Sequence, residues 1–138
     1  MSAKDKFHEA VRLALKKDGW TITNDPLYID VGKVQMRIDL GAEKLLAAEK
    51  SGEKIAVEIK SFLSPSAITD FHLALGQFLN YRTALRVKEP ERKLYLAVDT
   101  ETNNDFFTLP FIQLQIQEFQ LKLVVYDTET EEIVRWVS

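Results

Sequence analysis

Residues 54–60, Lys-Ile-Ala-Val-Glu-Ile-Lys, constrain the fold of this chain more than any other stretch, because their composition is that of a β-strand. Side chains in a strand alternate between its two faces. The residues of one face are all β-branched: Ile55, Val57 and Ile59. The other face carries Glu58 and Lys60 beside Ala56, where a core strand would normally stay apolar. A function for this charged pair is therefore the first thing to look for.

A second carboxylate precedes a neighbouring extended run. Asp39 stands before residues 42–50, which a turn signal at residues 51–52 separates from the strand at 54–60. Two runs at this distance predict a β-hairpin that brings Asp39 beside Glu58. Residues 42–50 also contain helix formers, so a short helix is an alternative for that run.

Hydrophobic periodicity predicts three helical regions. They are residues 4–18, a long helix that begins at Ser64 or Ser66 and ends near Val87, and residues 106–118, as one helix or two broken at Pro110. The long helix is apolar over much of its circumference. We therefore expect it to lie between a sheet and another element.

Strand composition recurs on both sides of the long helix. The predicted strands are residues 20–23, 94–98, 121–126 and 133–137, with residues 28–36 as one irregular strand or a loop around Gly32, and residues 99–105 as a polar loop. This order describes one α/β domain over residues 1–138, with a mixed central β-sheet flanked by helices.

Composition excludes several classes of protein. No apolar run approaches the roughly 20 residues that span a bilayer, so we expect no membrane association through a spanning helix. The chain has no cysteine, which excludes disulfides and thiolate metal sites and favours a cytoplasmic location. Its net charge is −3. An acidic chain argues against DNA binding by charge attraction alone, although a bound cation could offset the charge of a substrate phosphate.

The common catalytic motifs are absent from this sequence. The scattered glycines form no phosphate-binding loop or dinucleotide fingerprint. No serine lies on a recognisable nucleophile elbow. The two histidines, His8 and His72, are far apart in the sequence and give no support to a zinc site. Metal-assisted chemistry through carboxylates remains.

Asp39, Glu58 and Lys60 suit that chemistry. Mg²⁺ takes oxygen ligands and is usually held by one or two carboxylates together with water and substrate phosphate. Asp39 and Glu58 could supply the carboxylates, and the carbonyl oxygen of Ile59 could add a third ligand. Lys60 could position or deprotonate the attacking water, or stabilise charge on the phosphate, as phosphodiester hydrolysis requires. The alternative is a cross-strand ion pair that involves Glu58 or Lys60.

These residues resemble the PD-(D/E)XK motif of restriction-endonuclease-like nucleases. Asp39 matches the first acidic position, and Glu58-Ile59-Lys60 at the end of a strand matches the second half of the motif. Ile38 stands where the name of the motif has proline, a position that is commonly replaced. The resemblance implies a restriction-endonuclease-like fold and a site that binds Mg²⁺ or Mn²⁺ through Asp39 and Glu58.

Two further elements resemble parts of related nucleases. Glu9 in the first predicted helix is similar to the helical glutamate of archaeal Holliday-junction resolvases. Gln77 and Tyr81 in the long helix resemble the Gln-x-x-x-Tyr motif of RecB-like nucleases. The alternative is that Glu9 is a solvated helix residue, Tyr81 a core aromatic with a wet hydroxyl, and Gln77 a partly exposed residue.

Longer segments resemble one family over nearly the whole chain, the XisH family of fdxN element excision controlling factors of cyanobacteria. The matching segments are residues 4–5, 17–23, 25–26, 39–43, 47–50, 55–62, 74–77 and 94–98. The resemblance implies a part in programmed excision of a DNA element, alongside a site-specific recombinase and the small companion protein XisI.

Two functions from different classes fit these observations. In the first, the protein is a Mg²⁺-dependent endonuclease on DNA, with Asp39 and Glu58 as metal ligands and Lys60 at the attacking water. Glu9 would then orient a metal-bound water or bind a second ion, and Gln77 and Tyr81 would support the site. In the second, the protein is a non-catalytic control factor that keeps the nuclease fold and acts through bound DNA or a partner. Small nucleases of this fold often pair, so a homodimer is expected.

Overall fold

The computed structural model describes residues 2–44 and 52–138, and within them helices cover both faces of a six-stranded sheet. The helices are α1 (Ala3–Lys17), α2 (Ala67–Lys88), α3 (Thr100–Thr102) and α4 (Pro110–Glu118), with a π-helical turn over Asn103–Phe107. The strands are β1 (Thr21–Asn24), β2 (Leu27–Val31), β3 (Val34–Ile38), β4 (Leu40–Lys44), β5 (Glu53–Ile59), β6 (Arg92–Asp99), β7 (Leu123–Asp127) and β8 (Glu132–Val137). No helix within these ranges is long and apolar enough to cross a membrane.

The large sheet has the strand order β1-β4-β5-β6-β7-β8. Strands β5, β6 and β7 run parallel to one another, and the other neighbours pair antiparallel. The predicted mixed α/β architecture is therefore confirmed. The predicted run over residues 42–50 is a strand as far as Lys44. The rest of that run and Ser51 of the predicted turn lie outside the described residues.

Residues 27–38 form a separate hairpin, which neither alternative for residues 28–36 predicted. Strands β2 and β3 pair from Leu27 with Ile38 to Val31 with Val34, so only two residues connect them. Gly32 has φ +63°. A residue without Cβ adopts that conformation at little cost, which permits the tight reversal.

The central strand β5 separates two apolar cores. Ile55 and Val57 face α1, while Ala56 faces α2. The side-chain alternation predicted for this strand is thus confirmed, and it places Glu58 on the α2 side. Helix α2 lies between β6 of the large sheet and β2 of the hairpin, as its apolar circumference predicted.

The ends of the helices follow from local hydrogen bonds. Ser66 accepts a hydrogen bond from the backbone N–H of Thr69, so the second of the two predicted caps begins α2. Residues 100–105 of the predicted loop are helical, because Asp99 at the end of β6 caps the turn by accepting from the N–H and hydroxyl of Thr102. The following phenylalanines, Phe106 and Phe107, pack against Phe62 and Phe71 and hold this helical segment on the domain.

Candidate active site

Asp39 and Glu58 face each other across two antiparallel strands. Leu40 pairs with Val57, so Asp39, the residue before β4, lies opposite Glu58. The backbone N–H of Asp39 donates to Oε1 of Glu58 at 3.2 Å. In return, Oδ2 of Asp39 accepts from the backbone N–H of Ile59 at 2.8 Å. Each residue therefore fixes the position of the other at the carboxyl end of β5.

Lys60 completes the group at the point where β5 ends. Its backbone N–H donates to the carbonyl oxygen of Ala97 at 3.1 Å, which fixes this residue beside β6. Its Nζ lies 3.7 Å from Oε2 of Glu58. The Glu58 side chain is only 8% exposed, whereas that of Lys60 is 22% exposed. This contact joins two residues at the end of one strand, with the lysine on the solvent side, so it is not the cross-strand ion pair that the sequence left open as an alternative.

Burial changes the charge of this group. It raises the pKa of Glu58 to about 8, with the nearby Asp39 carboxyl adding to the effect and Lys60 opposing it. The protonated form of Glu58 is therefore favoured near neutral pH when no cation is present. A divalent cation between the two carboxylates would displace that proton and remove the repulsion.

Helix α2 covers this pair with Tyr81. Burial raises the pKa of the Tyr81 phenol, the negative charges of Glu58 and Asp39 raise it further, and Arg37 opposes them. The phenol therefore lies within the electrostatic field of the carboxylates. Gln77, one helical turn earlier, has a buried Oε1 that accepts no hydrogen bond from any described residue. A buried acceptor without a partner is costly, so a ligand or water there would stabilise it.

Glu9 is engaged elsewhere on α1. The Arg12 guanidinium donates to both of its carboxylate oxygens, from Nη2 at 2.6 Å and Nε at 3.0 Å. This contact lowers the pKa of Glu9. The proposed role of Glu9 stays a prediction, since it would require this pair to open.

Helix α1 instead brings Lys4 and His8 to the cavity beside Asp39. This cavity has a volume of about 160 Å³, and Lys60 also lines it. Nε2 of His8 lies 2.8 Å from Oδ1 of Asp25. Sequence reasoning missed both residues, and the available signal was weak. Their spacing of four places Lys4 and His8 on one face of the helix, as for many surface residues.

The residues of this site suit a Mg²⁺ ion that is held partly by water and phosphate. They are too few to hold a metal ion by protein ligands alone. Within residues 2–44 and 52–138, no group of three or more histidine or acidic side chains is placed to hold a metal ion. The site supplies two carboxylates, which is the usual protein contribution to a Mg²⁺ site completed by water and phosphate. The unfavourable proximity of the buried Glu58 carboxyl to the partly exposed Asp39 carboxyl is the observation that favours a cation there.

Fold and site together define a mixed α/β domain with an acidic pair and a lysine at the carboxyl end of its central strand. Residues 1–134 match the family model described as XisH protein. The chain therefore belongs to the XisH family. No curated protein matches it.

Two crystal structures resemble this chain over nearly its full length. An XisH family protein from Nostoc punctiforme is 53% identical, with a TM-score of 0.89, and the match covers 97% of this chain and 100% of the other. A fdxN element excision controlling factor protein from Anabaena variabilis is 54% identical, with a TM-score of 0.87, and the match covers 97% and 99%.

Proposed function

We propose that this protein controls the excision of a DNA element and acts there as a metal-dependent endodeoxyribonuclease of the PD-(D/E)XK type, with a restriction-endonuclease-like fold. The relative from Anabaena variabilis, an excision controlling factor, supports the role in excision. The single observation that supports the nuclease activity is the reciprocal hydrogen bonding of Asp39 and Glu58, with Lys60 next to them.

The proposed reaction is hydrolysis of a DNA phosphodiester. Asp39 and Glu58 would hold Mg²⁺ or Mn²⁺, which when bound would supply charge stabilisation at the phosphate and activate water. Lys60 would position the attacking water and stabilise charge that develops on the phosphate. The water oxygen forms the new P–O bond, and the leaving sugar oxygen takes up a proton.

The remaining residues would support this centre. Gln77 could satisfy its buried Oε1 by accepting a hydrogen bond from bound water, and the Tyr81 phenol could donate to a substrate oxygen. Lys4 and His8 line the cavity beside Asp39 and would meet a phosphate that enters it. Glu9 would orient a metal-bound water or hold a second ion only after it separates from Arg12.

A second candidate function is non-catalytic control through bound DNA or a partner. A companion protein of the XisI type and a site-specific recombinase are the proposed partners, and a homodimer is the proposed assembly. The observation in its favour is the net charge of −3, which favours dependence on a partner for DNA binding.

Nuclease assays on defined substrates test the choice between these functions. Purified protein is incubated with supercoiled, branched and single-stranded DNA in Mg²⁺, Mn²⁺ or EDTA. We expect metal-dependent cleavage that Asp39→Asn and Glu58→Gln abolish. Glu53→Gln, an exposed change on the same strand, is the matched control and should cleave normally. If no substrate is cut while Glu58→Gln still blocks excision in cells, the non-catalytic function is correct.

A further inference from the structure

A second cavity opens at the opposite end of the sheet from the candidate active site, where the parallel strands β5 and β6 begin. Its volume is about 170 Å³. The charged residues that line it, here called the basic pocket, are all cationic: Arg82, Arg86, Arg92, Lys93 and Lys122. In a chain whose net charge is −3, such a concentration of one sign produces a local positive potential that attracts anions.

The basic pocket is separate from the candidate active site. Arg92 pairs with Lys54 where β5 and β6 begin, whereas Glu58 pairs with Leu96 near their carboxyl ends. Four residues of strand separate the two levels, which is about 13 Å at a rise of about 3.3 Å per residue. Neither Asp39 nor Lys60 lines the basic pocket.

One of the five cations has a structural role. The Arg92 side chain is 5% exposed, and its Nη2 lies 3.1 Å from Oε1 of Glu89. Its Nη1 donates to the carbonyl oxygen of Ile55 at 2.8 Å. Arg92 therefore holds β5 and the end of α2 together, and a ligand would have to compete with these contacts.

Three other cations have no such compensation. Among residues 2–44 and 52–138, no carboxylate forms an ion pair with Arg86, Lys93 or Lys122. Lys122 is nevertheless fixed at its backbone, where its carbonyl oxygen accepts from the N–H of Leu96 at 2.9 Å. These residues thus surround the cavity with positive charge that the described part of the chain does not neutralise.

Arg82 is held with one edge open. Its Nη1 donates to the carbonyl oxygens of Phe119 and Gln120, at 2.7 Å and 3.3 Å. The guanidinium lies over the Phe78 ring, 5.5 Å from its centroid. No described residue accepts from its Nε and Nη2, the edge that binds tetrahedral oxyanions through two parallel hydrogen bonds. Burial and the neighbouring Arg86 lower the pKa of Arg82, which agrees with a pocket that lacks a counterion.

We propose that the basic pocket binds a phosphate group. The Nε and Nη2 atoms of Arg82 would bind two of its oxygens, and Arg86, Lys93 and Lys122 would surround the others. The group would be a phosphodiester of DNA or free phosphate. This proposal does not depend on hydrolysis at Asp39 and Glu58.

Thermal unfolding tests the phosphate site directly. Inorganic phosphate is compared with chloride at equal ionic strength, using the full chain in EDTA. We expect phosphate to raise the Tm of the wild type by several degrees and to have no such effect on the Arg86→Gln/Lys122→Gln variant. Lys33→Gln, an exposed change in the turn of the β2–β3 hairpin, is the control and should keep the shift. Equal Tm values in phosphate and chloride would overturn the proposal.

DNA binding in EDTA identifies the source of the phosphate. If the pocket takes a DNA phosphodiester, Arg86→Gln/Lys122→Gln should weaken duplex binding about 10-fold. The slope of log Kd against log salt concentration should also fall by about 1 for each cation that no longer meets a phosphate. Lys33→Gln, an exposed change outside both sites, is again the control and should bind DNA as the wild type does. If phosphate raises the Tm while the double variant binds DNA normally, the site is confirmed as one for free phosphate.

Discussion

Asp39 and Glu58 are fixed against each other by two hydrogen bonds, each between a carboxylate and a backbone N–H of the neighbouring strand segment. The N–H of Asp39 donates to Oε1 of Glu58, while the Asp39 carboxylate accepts from the N–H that follows Glu58. The hydrogen bonds bring together two carboxyls that repel each other when ionised. The metal-free protein resolves this conflict by protonating Glu58, and a cation would resolve it without the proton.

The first prediction concerns stability against pH. The pKa of Glu58 is raised from an ordinary value of 4.5 to about 8 in the folded protein, so the folded state binds this proton more tightly than the unfolded state. The contribution of Glu58 to stability is therefore greatest at low pH and falls as pH rises from about 4.5 to about 8. Glu58→Gln, which cannot ionise, should become more stable than the wild type across that range.

Urea unfolding in EDTA measures this difference. The free energy of unfolding of Glu58→Gln minus that of the wild type should increase between about pH 5 and about pH 9, by on the order of a few kcal/mol. Glu53→Gln alters an exposed residue of the same strand and should show no such trend. A difference that does not change with pH would mean that Glu58 titrates normally.

The second prediction concerns metal binding. Mg²⁺ or Mn²⁺ should raise the Tm of the wild type, since a ligand at about 100 times its Kd adds about 2.7 kcal/mol to the free energy of unfolding. Asp39→Asn and Glu58→Gln should remove the shift. Because a cation held by Asp39 and Glu58 would displace a proton from Glu58, its affinity should rise with pH up to about 8 and then level off.

Calorimetry in two buffers of different ionisation enthalpy checks the proton release. We expect up to one proton released per cation near neutral pH and none well above the pKa of Glu58. A binding heat that is the same in both buffers at neutral pH would contradict the proposed exchange of proton for metal.

The third prediction concerns two glycines with different surroundings. A Cβ at Gly41 would lie 2.9 Å from Oδ1 of Asn24 and 3.2 Å from Nη1 of Arg92, which is itself bonded to Ile55. Gly41→Ala should therefore lower the free energy of unfolding by about 1–3 kcal/mol.

Gly76 provides the matched comparison, because a Cβ there would meet nothing within 4 Å. Gly76→Ala in the middle of α2 should raise the free energy of unfolding by up to about 1 kcal/mol, since alanine loses less entropy in a helix. Urea unfolding of both variants should give opposite signs. Equal changes in the free energy of unfolding for the two variants would show that the close contacts at Gly41 do not determine whether alanine is tolerated there.

The core strands could be predicted from sequence because their pattern is local. Residues 54–60 and 94–98 have the β-branched and apolar composition typical of strands, and β5 as far as Ile59 and β6 confirm the two predictions. The proximity of Asp39 and Glu58 follows from the antiparallel pairing of β4 and β5, which the hairpin distance indicated. The helical segment at residues 100–105 was missed because its polar side chains suggest a loop, while the cap at Asp99 depends on geometry.

Side-chain directions and contacts between distant residues could not be predicted in this way. Helical spacing allows Glu9 to contact Arg12, but it does not determine whether the Glu9 side chain points to Arg12 or to the active site. The basic pocket joins α2, β6 and the segment after α4, whose cations are scattered along the sequence. The crossover from β5 through α2 to β6 and the connection from β6 through α4 to β7 bring them to one end of the sheet.

The last prediction concerns Lys60. The Lys60 ammonium lies 3.7 Å from Glu58 and lowers the pKa of that carboxyl. Lys60→Met removes this cation, so the variant should hold the Glu58 proton more tightly. Metal binding should therefore be compared above about pH 8, where Glu58 is ionised in the wild type.

At saturating Mn²⁺, Lys60→Met should cleave DNA about 10²-fold more slowly while it still binds the metal. Lys60→Arg should keep part of the activity, because the positive charge remains. Lys33→Met is the control, and cleavage by Lys60→Met at the wild-type rate would exclude Lys60 from the reaction.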